Sequence, residues 1–225
     1  GSTLTRTPTA WLPTCCGYEI SVPATKTFTN QVVTFLYLAT RLGSQDLGSQ
    51  DLGQLELLPE LMKETIEMSD PQIRALVPSV NSWNDLYCLG YGATYPMALE
   101  GALKLKEITY AHCEGMLSTE FKHGPLSAVT KDFPIFFAVG PQDVPIIVSG
   151  INEVTCRGGR AIAIGQADSR LTANATDVIT IPAASPAISS LLAVIPLQLL
   201  SYHMAVARGF DPDFPRNLSK TLTVD

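Results

Sequence analysis

Glu100, Lys104 and Glu107 stand at positions i, i+4 and i+7 of the stretch EGALKLKEITY, so a helix through them projects all three from one face. Two chemistries fit that pattern. On a solvated face it is an ion-pair ladder worth roughly a few tenths of a kcal/mol per pair. Packed against other protein, it is a carboxylate whose pKa burial moves toward neutrality and a lysine that tunes it, together a base for proton transfer. Leu99, Ala102, Leu103, Leu105 and Ile108 spread apolar character around much of the helix, which sets its charged stripe against other protein. Downstream, EFKHGP puts Glu120, Lys122 and His123 ahead of Gly124 and Pro125, residues that end a helix and stiffen a loop. His123 is either reactive or a loop histidine meeting a backbone carbonyl. His112, on the same helix, and His203, in an apolar run, read as structural. In the tail, Lys220 is either a solvated amine or a flexible one that meets a carbonyl carbon as a Schiff base.

The elements that must position these groups follow from periodicity. Asp85 to Leu89 reads as a strand, GYGATYP turns the chain, and a helix is predicted to run from there through the stretch ending at Pro125. Further short apolar runs, FPIFFAVG, RAIAIG and DVITIP, alternate with helical segments at Val144 to Cys156 and Ala187 to Arg208. Such alternation implies an α/β fold, a three-layer, doubly wound parallel sheet with right-handed crossovers. Ligands of such sheets gather beyond the carboxyl ends of the strands, which puts Gly90, Gly92 and the start of the charged helix at the expected site edge. Glycines after a strand serve a tight turn equally well. Ahead of this lobe, Ala24 to Leu42 is helical and stopped by Gly43. A five-residue duplication, GSQDLGSQDLG, reads as a tolerated loop insertion and QLELLPELMKETIEM as a helix. The expected division is residues 1–42, a linker over 43–68, a lobe over 69–208 and a tail over 209–225.

Composition limits the remaining classes. Among 225 residues, 46% are apolar and 16% charged, against roughly 25% charged in ordinary soluble domains, so long runs are covered on both faces. A net charge of -6 with no lysine or arginine cluster excludes a nucleic-acid surface. Five cysteines show neither metal-ligand spacing nor a disulfide framework, and no metal or cofactor is expected; reduced thiols fit a cytoplasmic setting. The first residues lack the apolar run of a signal peptide. Ala187 to Ala207 is long enough to span a membrane, yet Pro196, Gln198 and His203 make it a buried core helix.

Four separated segments, GYEISVPATKTFTNQ, YPMALEGALKLKEITY, EFKHGP and PRNLSKTLTVD, resemble the isomerase half of the glucosamine-6-phosphate synthase family, which is a pair of sugar isomerase (SIS) lobes. The likeness runs with gaps along the whole chain. It implies one complete lobe over 69–208 and, over 1–42, the C-terminal remnant of a preceding lobe. It also implies that Glu107 moves a proton between the first two sugar carbons with Lys104 beside it, that Lys220 meets the open-chain keto sugar, and that His123 helps open the ring. In the family that histidine comes from a neighbouring subunit, which implies at least a homodimer. Val22, Ala24, Glu100 and Ser219 would line the substrate, fructose-6-phosphate or glucosamine-6-phosphate. Departures accompany the match. Pro23 and Ala24 stand where the family has Ala-Ser, and Ser219 replaces an alanine. Neither the family's Ser/Thr-rich phosphate loop nor a glutaminase with a leading cysteine is matched among these residues, which implies weak sugar-phosphate binding by this chain alone. Two other readings remain: a stand-alone SIS glucosamine-6-phosphate deaminase and a non-catalytic sugar-phosphate-binding module.

Overall fold

The computed structural model describes residues 3–42 and 49–220. In chain order the helices are α1 (Thr3–Arg6), α2 (Lys26–Leu42), α3 (Ser49–Glu56), α4 (Leu58–Val80), α5 (Tyr95–Thr109), α6 (Val144–Thr155), α7 (Ser169–Asn174), α8 (Pro186–Leu192) and α9 (Val194–Ala207). The strands are β1 (Asp85–Gly90), β2 (His112–Leu117), β3 (Pro134–Ala138), β4 (Arg160–Gln166) and β5 (Asp177–Ile181), all parallel, in the order β2-β1-β3-β4-β5.

This is the expected doubly wound sheet, and side-chain alternation builds its two cores. Phe136, Ile162, Ile164 and Ile179 point into a core shared with α4, α5, α8 and α9. Ile135, Phe137, Ala161 and Ala163 point to the other face, where they meet Ile147, Ile151 and Val154 of α6 and Leu171 of α7. Every residue of β3 is buried, as a central parallel strand requires. Phe28, Val32, Val33 and Leu36 of α2 pack on the first core from outside.

Three sequence expectations are corrected. The charged helix does not run through to Pro125: α5 ends at Thr109, Tyr110 takes a left-handed conformation with φ 60°, and the chain turns into β2, which carries His112. Apolar periodicity ran on past a terminator that is here a tyrosine, where glycine is the usual signal. EFKHGP accordingly does not end a helix. It forms short 3-10 turns, Phe121–His123 and Pro125–Ala128, whose Phe121 and Leu126 fill the second core and carry the chain from β2 across to β3. The first copy of the duplicated pentapeptide GSQDL, at 43–47, lies outside the described residues, and α3 begins at Ser49 within the second, 48–52, where a loop was expected. α4 runs unbroken from Leu58 to Val80 despite Pro71 and Pro78. Pro186–Ala207 is long and apolar enough to cross a membrane, but it is split between α8 and α9 and mostly buried inside the protein.

Candidate active site

α5 is bounded by Pro96 in its first turn, where a missing N–H costs nothing, and by left-handed Tyr110. Between Glu100 and Lys104 sits Gly101, where an added Cβ would lie 2.4 Å from Leu197 of α9, so glycine alone allows the two helices to approach this closely. The charged stripe is thereby sealed. The Lys104 ammonium lies 3.2 Å from Glu100 Oε1 and 2.7 Å from Glu107 Oε2, and the three side chains are only 3%, 10% and 18% exposed. Both carboxylate oxygens are ion-paired without forming a well-directed hydrogen bond, which leaves acceptor capacity in a dry setting. Burial, opposed by Lys104 and reinforced by the Glu107 charge, raises the Glu100 pKa above its ordinary value. The solvated ladder is thus excluded by geometry.

Two hollows flank the triad. Lys104 and Ile108 line one of about 200 Å³ together with Ser21, Thr25, Gln198 and Asp213. Glu107 lines the other, of about 380 Å³, with Tyr110, His112 and Arg216. The triad therefore stands between the segment before α2 on one side and the tail on the other. These parts are tied together: Ser21 Oγ donates to the Pro212 carbonyl at 3.0 Å and the Val22 N–H to that of Asp213 at 3.3 Å.

Not every expected residue joins the triad. The Lys220 ammonium donates to Glu19 Oε2 at 3.2 Å and to the carbonyls of Ser21 and Val22 at 2.6 and 3.5 Å, so its recorded partners are these and not Glu107. Val22 is beside it, Ala24 is half-buried two residues on, and Ser219 is exposed next to it in the tail. His123 sits exposed beyond the carboxyl end of the edge strand β2, whereas Glu107 lies in the last turn of α5, near the amino ends of the strands. A strand's length separates those levels, ~17 Å at ~3.3 Å per residue. Gly90 and Gly92, at the expected carboxyl edge, precede the start of α5 at Tyr95, which lies twelve residues or ~18 Å of helix from Glu107, so the triad stands at the opposite edge of the sheet from them. His203 is buried on Asp70 with Nε2 2.6 Å from Oδ1, the structural role expected of it.

Residues that escaped the sequence reading hold this edge together. Arg208 donates to the carbonyls of Asn81, Trp83 and Thr109 and to Asn81 Oδ1, at 2.6 to 3.1 Å, closing the ends of α4 and α5. Its position just past an apolar helix was the available signal. Tyr110 Oη accepts the backbone N–H of Arg216 at 2.9 Å, and the Arg216 guanidinium lies 4.1 Å from the centre of its ring. Glu19 lay unremarked inside the quoted segment GYEISVPATKTFTNQ.

Fold and site together define a doubly wound α/β domain with its ionisable centre on a crossover helix. A family model described as SIS domain matches residues 79–208, and the chain belongs to the SIS domain family. Glutamine–fructose-6-phosphate aminotransferase [isomerizing] of Methanothermobacter thermautotrophicus is 41% identical over 229 aligned residues, covering 100% of this chain and 38% of that protein. The protein of the same name from Chlorobaculum tepidum is 42% identical over 232, again covering 100% and 38%. The chain thus spans under two fifths of the length of these curated relatives. Among solved structures, the C-terminal domain of glucosamine-fructose-6-phosphate aminotransferase from Francisella tularensis superposes with a TM-score of 0.77 at 33% identity, over 88% of this chain and 58% of that one. Glucosamine-6-phosphate deaminase from Thermotoga maritima superposes with a TM-score of 0.72 at 22% identity, over 91% and 59%, a likeness of fold alone.

Proposed function

We propose that this chain carries the proton-transfer part of a phosphosugar aldose-ketose isomerisation, in which fructose-6-phosphate and ammonia give glucosamine-6-phosphate. The observation that carries the reading is the buried triad: a lysine between two carboxylates, one of which, Glu107, lines an open hollow that the tail residues Arg216, Asn217 and Leu218 also line. Glu107 is the base that takes a proton from the first sugar carbon and returns it to the second. Lys104 pairs with Glu107 at 2.7 Å and fixes the position of its carboxylate. Lys220 lifts from its resting contacts to meet the keto carbon, and Val22, Ala24, Glu100 and Ser219 line the sugar. Positioned acid-base groups supply roughly 10² to 10⁴ in rate each.

His123 serves ring opening and acts on the triad of a second copy. The distance along the sheet between its loop and Glu107 supports a homodimer, because one chain does not bring the two together. In this reading residues 69–208 form a complete lobe, 1–42 the remnant of a preceding one, 43–68 the linker and 209–225 the tail that carries Lys220. Five free cysteines, two of them fully buried, support a reducing, cytoplasmic setting. With no match to the family's phosphate loop, calorimetry is expected to show only weak binding of fructose-6-phosphate; micromolar affinity would place a phosphate grip within these residues.

The direct test follows deuterium uptake from heavy water at the first two carbons of the sugar phosphate by proton NMR, at saturating sugar phosphate. Exchange catalysed by the parent chain and lowered by a factor of roughly 10² to 10⁴ in Glu107→Gln supports the reading. Equal exchange in the two sinks it; none from the parent is the outcome expected where the phosphate grip lies outside these residues, and the same comparison is then made in a chain that includes the preceding lobe.

A further inference from the structure

We propose that Glu19 is a positioning residue that holds Lys220 as a cation against the segment Ser21–Val22 until substrate draws it away, an inference that rests on the role given to Lys220 above. Glu19 is itself fixed from elsewhere. Its Oε1 accepts the backbone N–H groups of Thr25, Lys26 and Thr27 at 3.0, 3.0 and 3.4 Å, and Oε2 accepts the Thr27 hydroxyl at 2.6 Å. Those N–H groups are the orphan donors at the start of the 17-residue helix α2, so the carboxylate completes the helix and its side chain is left 6% exposed. Burial works to raise its pKa and is outweighed by the Thr27 hydroxyl, the Thr25 N–H and Lys220, which hold it at about 2. Held by these donors, Glu19 is a pre-set anion at neutral pH.

Lys220 meets that anion and two carbonyls, three acceptors and no donor among its recorded partners. Such a nest suits an ammonium, with three donors, and not a neutral amine. The tail reaches it independently of Glu19, because Tyr110 grips Arg216 four residues earlier through both its hydroxyl and its ring. An ordinary exposed ion pair couples two mobile side chains and contributes little. Here one partner is immobile before the other arrives, so the tail amine has one defined resting place. While parked there it is charged and non-nucleophilic, and condensation with a keto carbon, forming the C=N bond with loss of water, requires it first to leave and to give its proton to solvent.

The test reads the reactivity of Lys220 without any sugar, so its outcome is separate from that of the Glu107 experiment. The purified chain is acetylated with trace isotopic acetic anhydride and each lysine quantified by peptide mass spectrometry, with exposed Lys131 as internal reference. Glu19→Gln keeps an oxygen for the helix donors and removes the charge; Lys220 labelling should rise about tenfold, the factor expected from losing a charge-assisted hydrogen bond. Glu19→Asp, which keeps the charge, should stay nearer the parent. Far-ultraviolet circular dichroism checks that both variants fold. Should Glu19→Gln unfold, the parent protein decides: raising salt from about 0.05 M to about 1 M screens the pair and should raise Lys220 labelling several-fold relative to Lys131. Unchanged labelling in folded Glu19→Gln, an equal rise in Glu19→Asp, or a flat salt series overturns the proposal.

Discussion

Lys104 and Lys220 carry the same charge, and each sits against a glutamate, yet they belong to opposite kinds of structure. Lys104 is 3% exposed on a rigid helix between two buried carboxylates, while Lys220 is 39% exposed on a tail and reaches Glu19 and two carbonyls. Around the first, backbone and neighbours are locked, so its field on Glu107 is constant. Around the second, only the receiving side is locked. Under the proposed function the contrast gives the two amines different jobs: one would set the surroundings of the base, and the other would move through the reaction.

Lys104→Met gives the largest effect this contrast implies. It leaves Glu100 and Glu107 as two uncompensated neighbouring carboxylates, and stability should fall by about 3–5 kcal/mol in urea denaturation at pH 8. Removing the ammonium takes away what opposes burial at Glu100 and raises its carboxyl pKa further, so the folded variant binds more protons than the unfolded chain and its stability falls as pH rises above about 4.5, the ordinary value. The deficit should therefore shrink toward pH 5. A deficit independent of pH would mean that packing, not charge, is what Lys104 provides. Arg208→Met comes next, with an expected loss of about 2–3 kcal/mol, because the carbonyls of Asn81, Trp83 and Thr109 lose their charged donor. Since Thr109 closes the turn that carries Glu107, that variant should also loosen α5, read as faster amide exchange over Glu107 to Thr109. Stability loss without faster exchange there would detach Arg208 from the site.

The same contrast explains what was legible in the sequence. Buried strands announce themselves, and FPIFFAVG, RAIAIG and DVITIP fell on β3, β4 and β5 because uninterrupted apolar runs have few other homes. Glu100, Lys104 and Glu107 were readable because helical spacing alone puts them on one face. β2 was hidden inside the predicted helix, since HCEGML is an edge strand with four of its six residues half-buried or exposed after the first pair and no alternation to mark it. The Glu19–Lys220 pair spans 201 positions of sequence, and nothing local to either residue identifies the other. Helical periodicity reports a face; it does not report which remote segment lies against that face, and at this site the segment before α2 and the tail supply half of the surroundings.

Acid titration separates the two sides of the tail contact. The folded-state pKa of Glu19, about 2, lies below its ordinary value of 4.5, so its stabilisation is complete above about pH 4.5 and is lost as pH falls from there toward 2. Because Lys220 is partly open to solvent, the full linkage is discounted to about 1–2 kcal/mol. Other carboxylates titrate in the same window, so the quantity to read is the stability gap between the parent and Glu19→Gln. That gap should narrow between pH 5 and pH 3. A gap that stays constant would mean that Glu19 is an uncharged spacer for the helix end.

Lys220→Met gives the smallest stability effect and the sharpest division between the lysines. The Glu19 carboxylate keeps the donors of Thr25, Lys26 and Thr27 when the ammonium is gone, so no buried group is orphaned and stability should change by less than about 0.5 kcal/mol. Deuterium uptake into the sugar phosphate, by contrast, should fall by about 10² or more if the amine engages the keto carbon. An effect confined to rate fits a group held for chemistry, and the Lys104→Met deficit fits one held for structure. A Lys220→Met variant destabilised as severely as Lys104→Met would erase the distinction, because the tail would then be part of the core's support and its lysine would have no freedom to move.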